Sequence, residues 1–421
     1  MIAMEAYIIT IGDEILLGNT LNTNAAYIGE RLSDINIPVI KTSVVGDDNP
    51  AILNELKLAS ETFGLILLTG GLGPTHDDVT RKSIIDFFNS ELIENKEVLE
   101  DIQAMFEKRK RKLTSVNKDQ AKVPKIAEVI RNRLGTAPGL WIEKDQRIYV
   151  VMPGVPYEMQ GMMESTVIPK LLERKEEGQK IFKKKMILTT GIPESMLYER
   201  LGNLEELLQG AKLAFLPNQF GVKLRLSVEG EVEKELNEKM MEVEQRIRSK
   251  AGRFIYGSGE DLLEAVVGRL LLERELTIAT AESCTGGLIS SLFTNISGSS
   301  KYFERGIVCY SNAAKVELLK VDEDVIAENG AVSLEVAMQM AEGVKSTSGA
   351  DIGLSTTGIM GPTGATADKP VGLVYIGYCD EKVCTAKKFI FGEDRLLNKQ
   401  RTAQAALDFV RRQLLGISLD D

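Results

Sequence analysis

Residues 64–80 read GLILLTGGLGPTHDDVT, an apolar run that stops at paired glycines and continues into an acidic loop. A short apolar run closed by glycines reads as a buried strand, and a helix is expected to begin near Asp78. The same alternation precedes it. YIIT (7–10) is a strand followed by LNTNAAYIGERLSDI at helical spacing, IPVIKTSVV is a strand, and NPAILNELKLASETF is a helix opened by Asn49 and Pro50. Strands alternating with helices over residues 1–170 predict an α/β domain, a parallel sheet with helices on both faces. Ligands of such a sheet bind outside the carboxyl ends of its strands.

Three loops lie at those ends: GDEILLG (12–18), VGDDNP (45–50) and TGGLGPTHDDVT (69–80). Their glycines let backbone N–H groups approach a phosphate. Asp13, Glu14, Asp47, Asp77 and Asp78, drawn from separate loops, are candidates to hold a divalent metal, magnesium or similar, against a pyrophosphate. The plainer alternative makes Asp13 and Asp78 helix caps and the glycines simple turns. His76 is of a type suited to phosphate, metal or a backbone hydrogen bond.

At 421 residues the chain has room for two or three domains. The texture changes after Pro169, where LLERKEEGQKIFKKK reads as a charged connection. Residues 175–256 then carry MILTTG, KLAFLPN, VKLRLSVEG and RFIYG among two amphipathic helices, a small α+β module of KH-like order. It lacks the G-x-x-G clamp by which KH modules grip RNA. Residues 260–418 form a second α/β domain, opening on the amphipathic EDLLEAVVGRLLLEREL and closing with LLNKQRTAQAALDFVRRQLL.

A net charge of -10 argues against a chain built to neutralise nucleic-acid phosphates, and the basic EKRKRK (107–112) reads as a solvated helix face. No run approaches the ~20 apolar residues of a membrane span, and the first residues lack a secretory pattern, so a cytoplasmic location is expected. Four cysteines, all in the last third, offer neither a disulfide framework nor a zinc set. Cys309, Cys379 and Cys384 are expected to be buried and reduced.

TAESCTGG (280–287) places Ser283 and Cys284 where a strand gives way to a helix. Amides at that helix start can stabilise an oxyanion, and Gly286 and Gly287 permit close backbone approach. Cysteine hydrolases usually need a histidine partner, and the chain's only histidine is His76. A serine can instead be served by a lysine or tyrosine of lowered pKa, and GIVCYSNAAKVELL offers Tyr310 and Lys315. Their plainer reading is a half-buried strand aromatic and an exposed helix lysine. STTGIMGPTGAT (355–366) and FGEDR (391–395) add a glycine-rich loop and Arg395 for amide or phosphate contacts.

The T-G-G-x-G loop with a later Asp before Thr, here Thr69, Gly70, Gly71, Gly73 and Asp78, resembles the molybdopterin-binding domain of molybdenum-cofactor biosynthesis proteins. GDE, GLGPTHDDVT and PGVPYEM (153–159) together resemble the CinA family. ESCTGG, ERGIVCYSNAAK, GAVS, TGIMGP, KPVGLVYI and FGEDR, in that order, resemble its C-terminal nicotinamide mononucleotide (NMN) deamidase domain, with Met360 where alanine is more usual. The resemblance covers essentially the whole chain. It implies a metal-dependent ADP-ribose pyrophosphatase at the N-terminal site, with Gly70, Gly71, Gly73 and Thr75 on the substrate, giving AMP and ribose 5-phosphate. It also implies a cofactor-free deamidase in which Ser283 attacks the nicotinamide carboxamide, activated by Tyr310 and Lys315. Thr285, Gly286, Gly287, Thr357, Gly358, Gly361 and Arg395 then hold NMN. Which of Tyr310 and Lys315 takes the proton stays open. The implied partners are these nucleotides and a second copy in a homodimer, with no membrane and no direct nucleic-acid contact. The alternative is a binding protein for a molybdopterin-like ligand, or an accessory in competence or DNA damage, without turnover.

Overall fold

The computed structural model describes residues 4–73, 75, 78–174 and 181–418, in two compact units, 1–182 and 183–421. His76 and Asp77 lie outside the described residues. In the first unit β1 (Ala6–Ile11), α1 (Thr23–Asp34), β2 (Val39–Val45), α2 (Asn49–Thr62) and β3 (Leu65–Thr69) follow the expected alternation. After α3 (Thr80–Phe88) come β4 (Glu128–Ile130), β5 (Gly139–Lys144), β6 (Arg147–Met152) and α4 (Pro156–Met162). The sheet order is β2-β1-β3-β6-β5-β4. Its first four strands are parallel, but β5 and β4 join antiparallel, so the sheet is mixed rather than wholly parallel. The reversal is made by Asp145 and Gln146, both at positive φ (52° and 60°), the handedness that a two-residue hairpin turn requires.

β1 and β3 are buried on both faces because each side of the pleat meets its own apolar layer. Ile8 packs with Leu32, Trp141 and Met159, whereas Ile9 packs with Leu56, Phe88 and Tyr149. Asn22 caps α1 and Asp48 caps α2, whose first turn carries Pro50. α3 begins at Thr80, two residues beyond Asp78, and neither Asp13 nor Asp78 caps a helix. The cap reading of those two carboxylates therefore fails.

The second unit opens on β7 (Ile181–Thr189), α5 (Glu194–Leu201), β8 (Lys212–Asn218), β9 (Gly221–Gly230), α6 (Glu233–Ala251) and β10 (Ile255–Ser258), in sheet order β8-β9-β7-β10. β7 reaches back into the lysine-rich stretch that reads as a connection. Glu233 and Glu244 of α6 pair with Lys183 and Lys185, which lets a charged segment sit in a strand. The loop after β7 runs Gly191-Ile-Pro-Glu194, with no second glycine for a G-x-x-G clamp.

Next come α7 (Leu263–Glu273), β11 (Ile278–Glu282), α8 (Leu288–Thr294), β12 (Phe303–Val308), α9 (Asn312–Leu319), α10 (Leu334–Ser348), β13 (Ile352–Gly358), β14 (Leu373–Cys379), β15 (Cys384–Ile390) and α11 (Arg395–Leu415). The sheet order is β12-β11-β13-β14-β15, with β11 parallel to both neighbours and the last two strands antiparallel. α10 lies so close to this sheet that a Cβ on Gly353 would fall 1.9 Å from the Ala341 carbonyl oxygen. On α11, Asp408 pairs with buried Arg411 and Arg412, and Arg411 donates to the carbonyls of Arg253 and Ile255, tying the last helix to the KH-like module.

Cys379 and Cys384 are not reduced: they form a disulfide across the mouth of the β14–β15 hairpin, and Cys384 is exposed. The strand register, which sets these two residues opposite each other, brings the sulfurs together. Cys284 and Cys309 are free and buried. Among the described residues no helix is long and apolar enough to cross a membrane.

Gly353→Ala is expected to lower stability by about 1–3 kcal/mol through overpacking against backbone that cannot rotate away. Urea unfolding followed by circular dichroism checks this, and a change within error contradicts the close approach.

Candidate functional site

The C-terminal site grows from the end of β11. Its last residue, Glu282, is fully buried and turns its carboxylate back onto α8. It accepts the N–H groups of Gly287, Ile289 and Ser290 at 2.9, 3.1 and 2.8 Å, and the Ser290 hydroxyl at 2.6 Å. The helix start expected to receive an oxyanion is thus filled by the protein's own carboxylate. The Thr285 and Gly286 amides, which donate to no backbone carbonyl among the described residues, remain as candidate oxyanion donors.

Ser283 follows Glu282, its N–H held by the Thr356 carbonyl at 3.0 Å. Its hydroxyl lies 3.0 Å from Lys315 Nζ, which is also 3.0 Å from the Cys309 carbonyl oxygen. Lys315 is not the exposed helix lysine of the plainer reading. It sits in the first turn of α9, is 1% exposed, and among the described residues no carboxylate pairs with it. Burial holds its amine below the ordinary lysine range.

Cys284 points the other way, into an apolar cluster with Ile289, Phe293 and Met360. Burial pushes its thiol up to about 12, so the thiolate is not available near neutral pH.

Tyr310 is neither half-buried nor in the strand. It stands beyond β12, 64% exposed, with its hydroxyl 3.2 Å from Arg395 Nη2. Arg395 opens α11 and donates through Nη1 to the Gly361 carbonyl at 2.8 Å. Tyr310 and Arg395 therefore meet at the rim, while Ser283 and Lys315 meet beneath it. Thr285 and Thr357 are buried, with hydroxyls engaged by Thr356 and the Ala331 carbonyl, so both brace the loops. Gly358 closes β13 and pairs with Val374.

Sequence reading missed two residues of α11. A Cβ on Gly286 would lie 3.4 Å from Lys399 Nζ, which puts a second cation one turn beyond Arg395, beside the serine loop. Asn398 donates to the carbonyls of Met360 and Gly392, joining the TGIMGP and FGEDR loops. The i, i+4 spacing of Arg395 and Lys399 was the available signal.

In the first unit the carboxyl ends of β1, β3 and β6 border a cavity of about 440 Å³ lined by Gly12, Glu14, Asp47, Gly70, Gly71, Gly73 and Asp78, among others. Asp13 and Asp47 each accept the other's backbone N–H, at 3.3 and 3.0 Å. Asp78 accepts both the N–H and the hydroxyl of Thr75. Burial raises the Asp47 carboxyl above its usual range, and the negative charges of Asp13, Glu14 and Asp78 add to the rise. Gly70 (φ 115°) has no room for a side chain, since a Cβ would fall 2.0 Å from the Ile11 carbonyl oxygen.

Among the described residues no three metal-ligating side chains converge into a cage. The all-oxygen, charge-crowded donor set nevertheless suits a hard cation. Magnesium is commonly held by one or two carboxylates together with substrate phosphates, a demand that Asp47 and its neighbours can meet. Two further polar side chains that sequence reading passed over line this cavity. Asn24 of α1 donates to the Thr69 hydroxyl and the Gly154 carbonyl, and the nearly buried Glu158 carboxylate of α4 accepts from Asn132.

A glycine-floored acidic cleft in the first unit, and a KH-like module and a buried Ser–Lys pair in the second, define a modular α/β protein with a candidate site in each unit. Family models match accordingly: a probable molybdopterin binding domain over residues 7–173, a damage-inducible protein CinA KH domain over 184–257, and a CinA C-terminal domain over 260–414. The chain is 45% identical to a CinA-like protein of Salinibacter ruber over 98% of its own length and 100% of that relative's. It is 42% identical, with the same coverage, to a putative competence-damage inducible protein of Caldicellulosiruptor saccharolyticus. Among solved structures, the competence/damage inducible protein CihA of Agrobacterium tumefaciens is 36% identical, with 36% of this chain and 93% of that one covered and a TM-score of 0.35. The chain belongs to the CinA family.

The geometry carries a chemical expectation of its own. With its thiol held near 12, Cys284 in the native chain should stay unalkylated by iodoacetamide at pH 8 and react fully in urea. Peptide mass spectrometry reads the outcome, and rapid native labelling of Cys284 contradicts the buried placement.

Proposed function

We propose that the chain is a two-site hydrolase of pyridine nucleotides, deamidating NMN in its C-terminal domain and cleaving ADP-ribose in its N-terminal cleft. The observation that carries the first activity is the 3.0 Å approach of a buried Lys315 amine to the Ser283 hydroxyl. A neutral amine takes the hydroxyl proton as Ser283 Oγ attacks the carboxamide carbon, and the charge that develops on the carbonyl oxygen faces the Thr285 and Gly286 amides. Lys315 then returns that proton to the departing nitrogen, which leaves as ammonia. Water, activated by the same amine, cleaves the resulting ester to nicotinic acid mononucleotide and free Ser283. Arg395 and Lys399 are suited to the substrate's phosphate.

Lys315 rather than Tyr310 is the base in this reading, since the tyrosine hydroxyl bonds to Arg395 and not to Ser283. In the N-terminal cleft, Asp47 with Glu14 or Asp78 would hold a divalent cation, which would neutralise negative charge on the substrate's pyrophosphate, and the Gly70–Gly71 backbone would floor the phosphates.

Ammonia release from NMN is expected to fall by roughly 10²–10⁴-fold in Lys315→Met and to be lost in Ser283→Ala. It should persist in Cys284→Ala, and in Tyr310→Phe the change should fall mainly on KM. Loss of kcat in Tyr310→Phe with Lys315→Met active would reverse the assignment of the base. Only the neutral amine accepts the proton, and its pKa is lowered. The acidic limb of kcat/KM should therefore lie below the ~10.4 of a free lysine. Metal-dependent formation of AMP from ADP-ribose is expected to fall in Asp78→Ala and Asp47→Asn. Its absence in the intact protein would favour a binding role for this cleft.

A further inference from the structure

A cavity of about 550 Å³ lies within the second unit, where the KH-like module meets the C-terminal domain. It is bordered by the loop after β7, the tip of the β8–β9 hairpin, the end of β15 and the middle turns of α11. Neither Ser283, Lys315, Arg395 nor Lys399 belongs to its walls. Phe389 and Phe391, alternate residues on one side of the β15 edge, stack their rings 5.9 Å apart and 10° from parallel. Phe220, at the hairpin tip, adds a third ring and is 38% exposed. All three rings are partly open to solvent, so a ligand can reach them.

Aromatic surface left wet gains free energy when another flat apolar group covers it. The charges around the cavity indicate which group. Lys387, Arg401 and Arg412 stand against Glu194 and Asp408, and the Asp408 carboxylate already accepts from both Arg411 and Arg412. The local balance is therefore positive in a chain whose net charge is -10. Arg401 is the open handle. It is half-buried, and its Nε donates at 3.2 Å to the carbonyl of Gln219, another wall residue. Among the described residues its two terminal nitrogens have no hydrogen-bond partner and no carboxylate pairs with it. A guanidinium stays charged, and its planar fork takes a carboxylate or phosphate through two parallel hydrogen bonds. Apolar walls with a few placed polar groups, in a cavity of roughly 300–1,000 Å³, are the usual form of a small-molecule site.

We propose that this cavity is a binding site for an aromatic anion of about mononucleotide size. The ring of the ligand lies against Phe389, Phe391 and Phe220, and its acidic group pairs with Arg401. A neutral apolar ligand would leave the Arg401 charge without compensation, and a cation would be repelled by it. The proposal does not depend on the hydrolytic reading of Ser283, because no residue of that site takes part.

Fluorescence titration of the full chain with anilinonaphthalene sulfonate, a ring system with one fixed negative charge, tests this. The probe should bind saturably, and AMP should displace it, whereas adenosine, the same ring without a phosphate, should not. Arg401→Gln should weaken the probe by roughly tenfold or more, and Arg401→Lys, which keeps the charge, by less than about threefold. Phe220→Ala, at an exposed position, should weaken it by roughly threefold or more. Arg395→Ala should bind the probe as the intact chain does, which separates this cavity from the Ser283 site. Circular dichroism of each variant should match that of the intact chain, so that a lost signal reports the site and not misfolding. Absence of saturable binding, failure of AMP to displace the probe, or displacement by adenosine as readily as by AMP overturns the proposal. Undiminished binding in either Arg401→Gln or Phe220→Ala overturns it as well. So does Arg401→Lys binding as poorly as Arg401→Gln, because the hydrogen bond to Gln219 and not the charge would then be responsible.

Discussion

The C-terminal site depends on one amine kept in an interior that does not neutralise it. Lys315 is buried in the first turn of α9, with a serine hydroxyl and a backbone carbonyl as its polar contacts. A carboxylate in contact would hold the proton on nitrogen and raise the pKa; burial without one lowers it. The carboxylate closest in sequence to the serine, Glu282, is instead spent on three amides and a hydroxyl of α8. That arrangement fixes the serine turn while keeping its negative charge off the lysine. The same cause, burial, lowers the Lys315 amine and raises the Cys284 thiol, so it acts in opposite directions on the two groups that flank Ser283.

The N-terminal cleft uses the opposite arrangement. There, carboxylates from three loops crowd one sheet edge, and their mutual repulsion with burial raises Asp47. A site in that state gains from a cation, and a glycine floor without side chains leaves room for the phosphates that would share it. The two sites thus differ in charge, a buried amine with no carboxylate partner among the described residues in one and an accumulation of carboxylates in the other.

α11 has two tasks along its 21 residues. Its first turns carry Arg395, Asn398 and Lys399 to the loops around Ser283. Its later turns carry the buried Asp408–Arg411–Arg412 group, which is anchored to backbone carbonyls of the KH-like module. Removing one partner from a buried group of this kind is strongly destabilising, because it leaves a charge without compensation. In a module without a G-x-x-G clamp, support of this helix is a structural task its sequence can meet.

The sequence by itself determined the succession of strands and helices, because apolar runs bounded by glycine and by helix-capping residues are local signals. It also brought the glycine-rich loops, Ser283, Tyr310, Lys315 and Arg395 into view through residue type and motif order. The tertiary structure decided what those residues touch. Hydrogen bonding and burial depend on atoms far apart in the chain, and these placed Lys315 on Ser283, sent Tyr310 to Arg395 and turned Glu282 onto α8. Strand register, invisible to composition, set Cys379 opposite Cys384, and the Asp145–Gln146 turn ran β5 against the parallel strands of the first sheet.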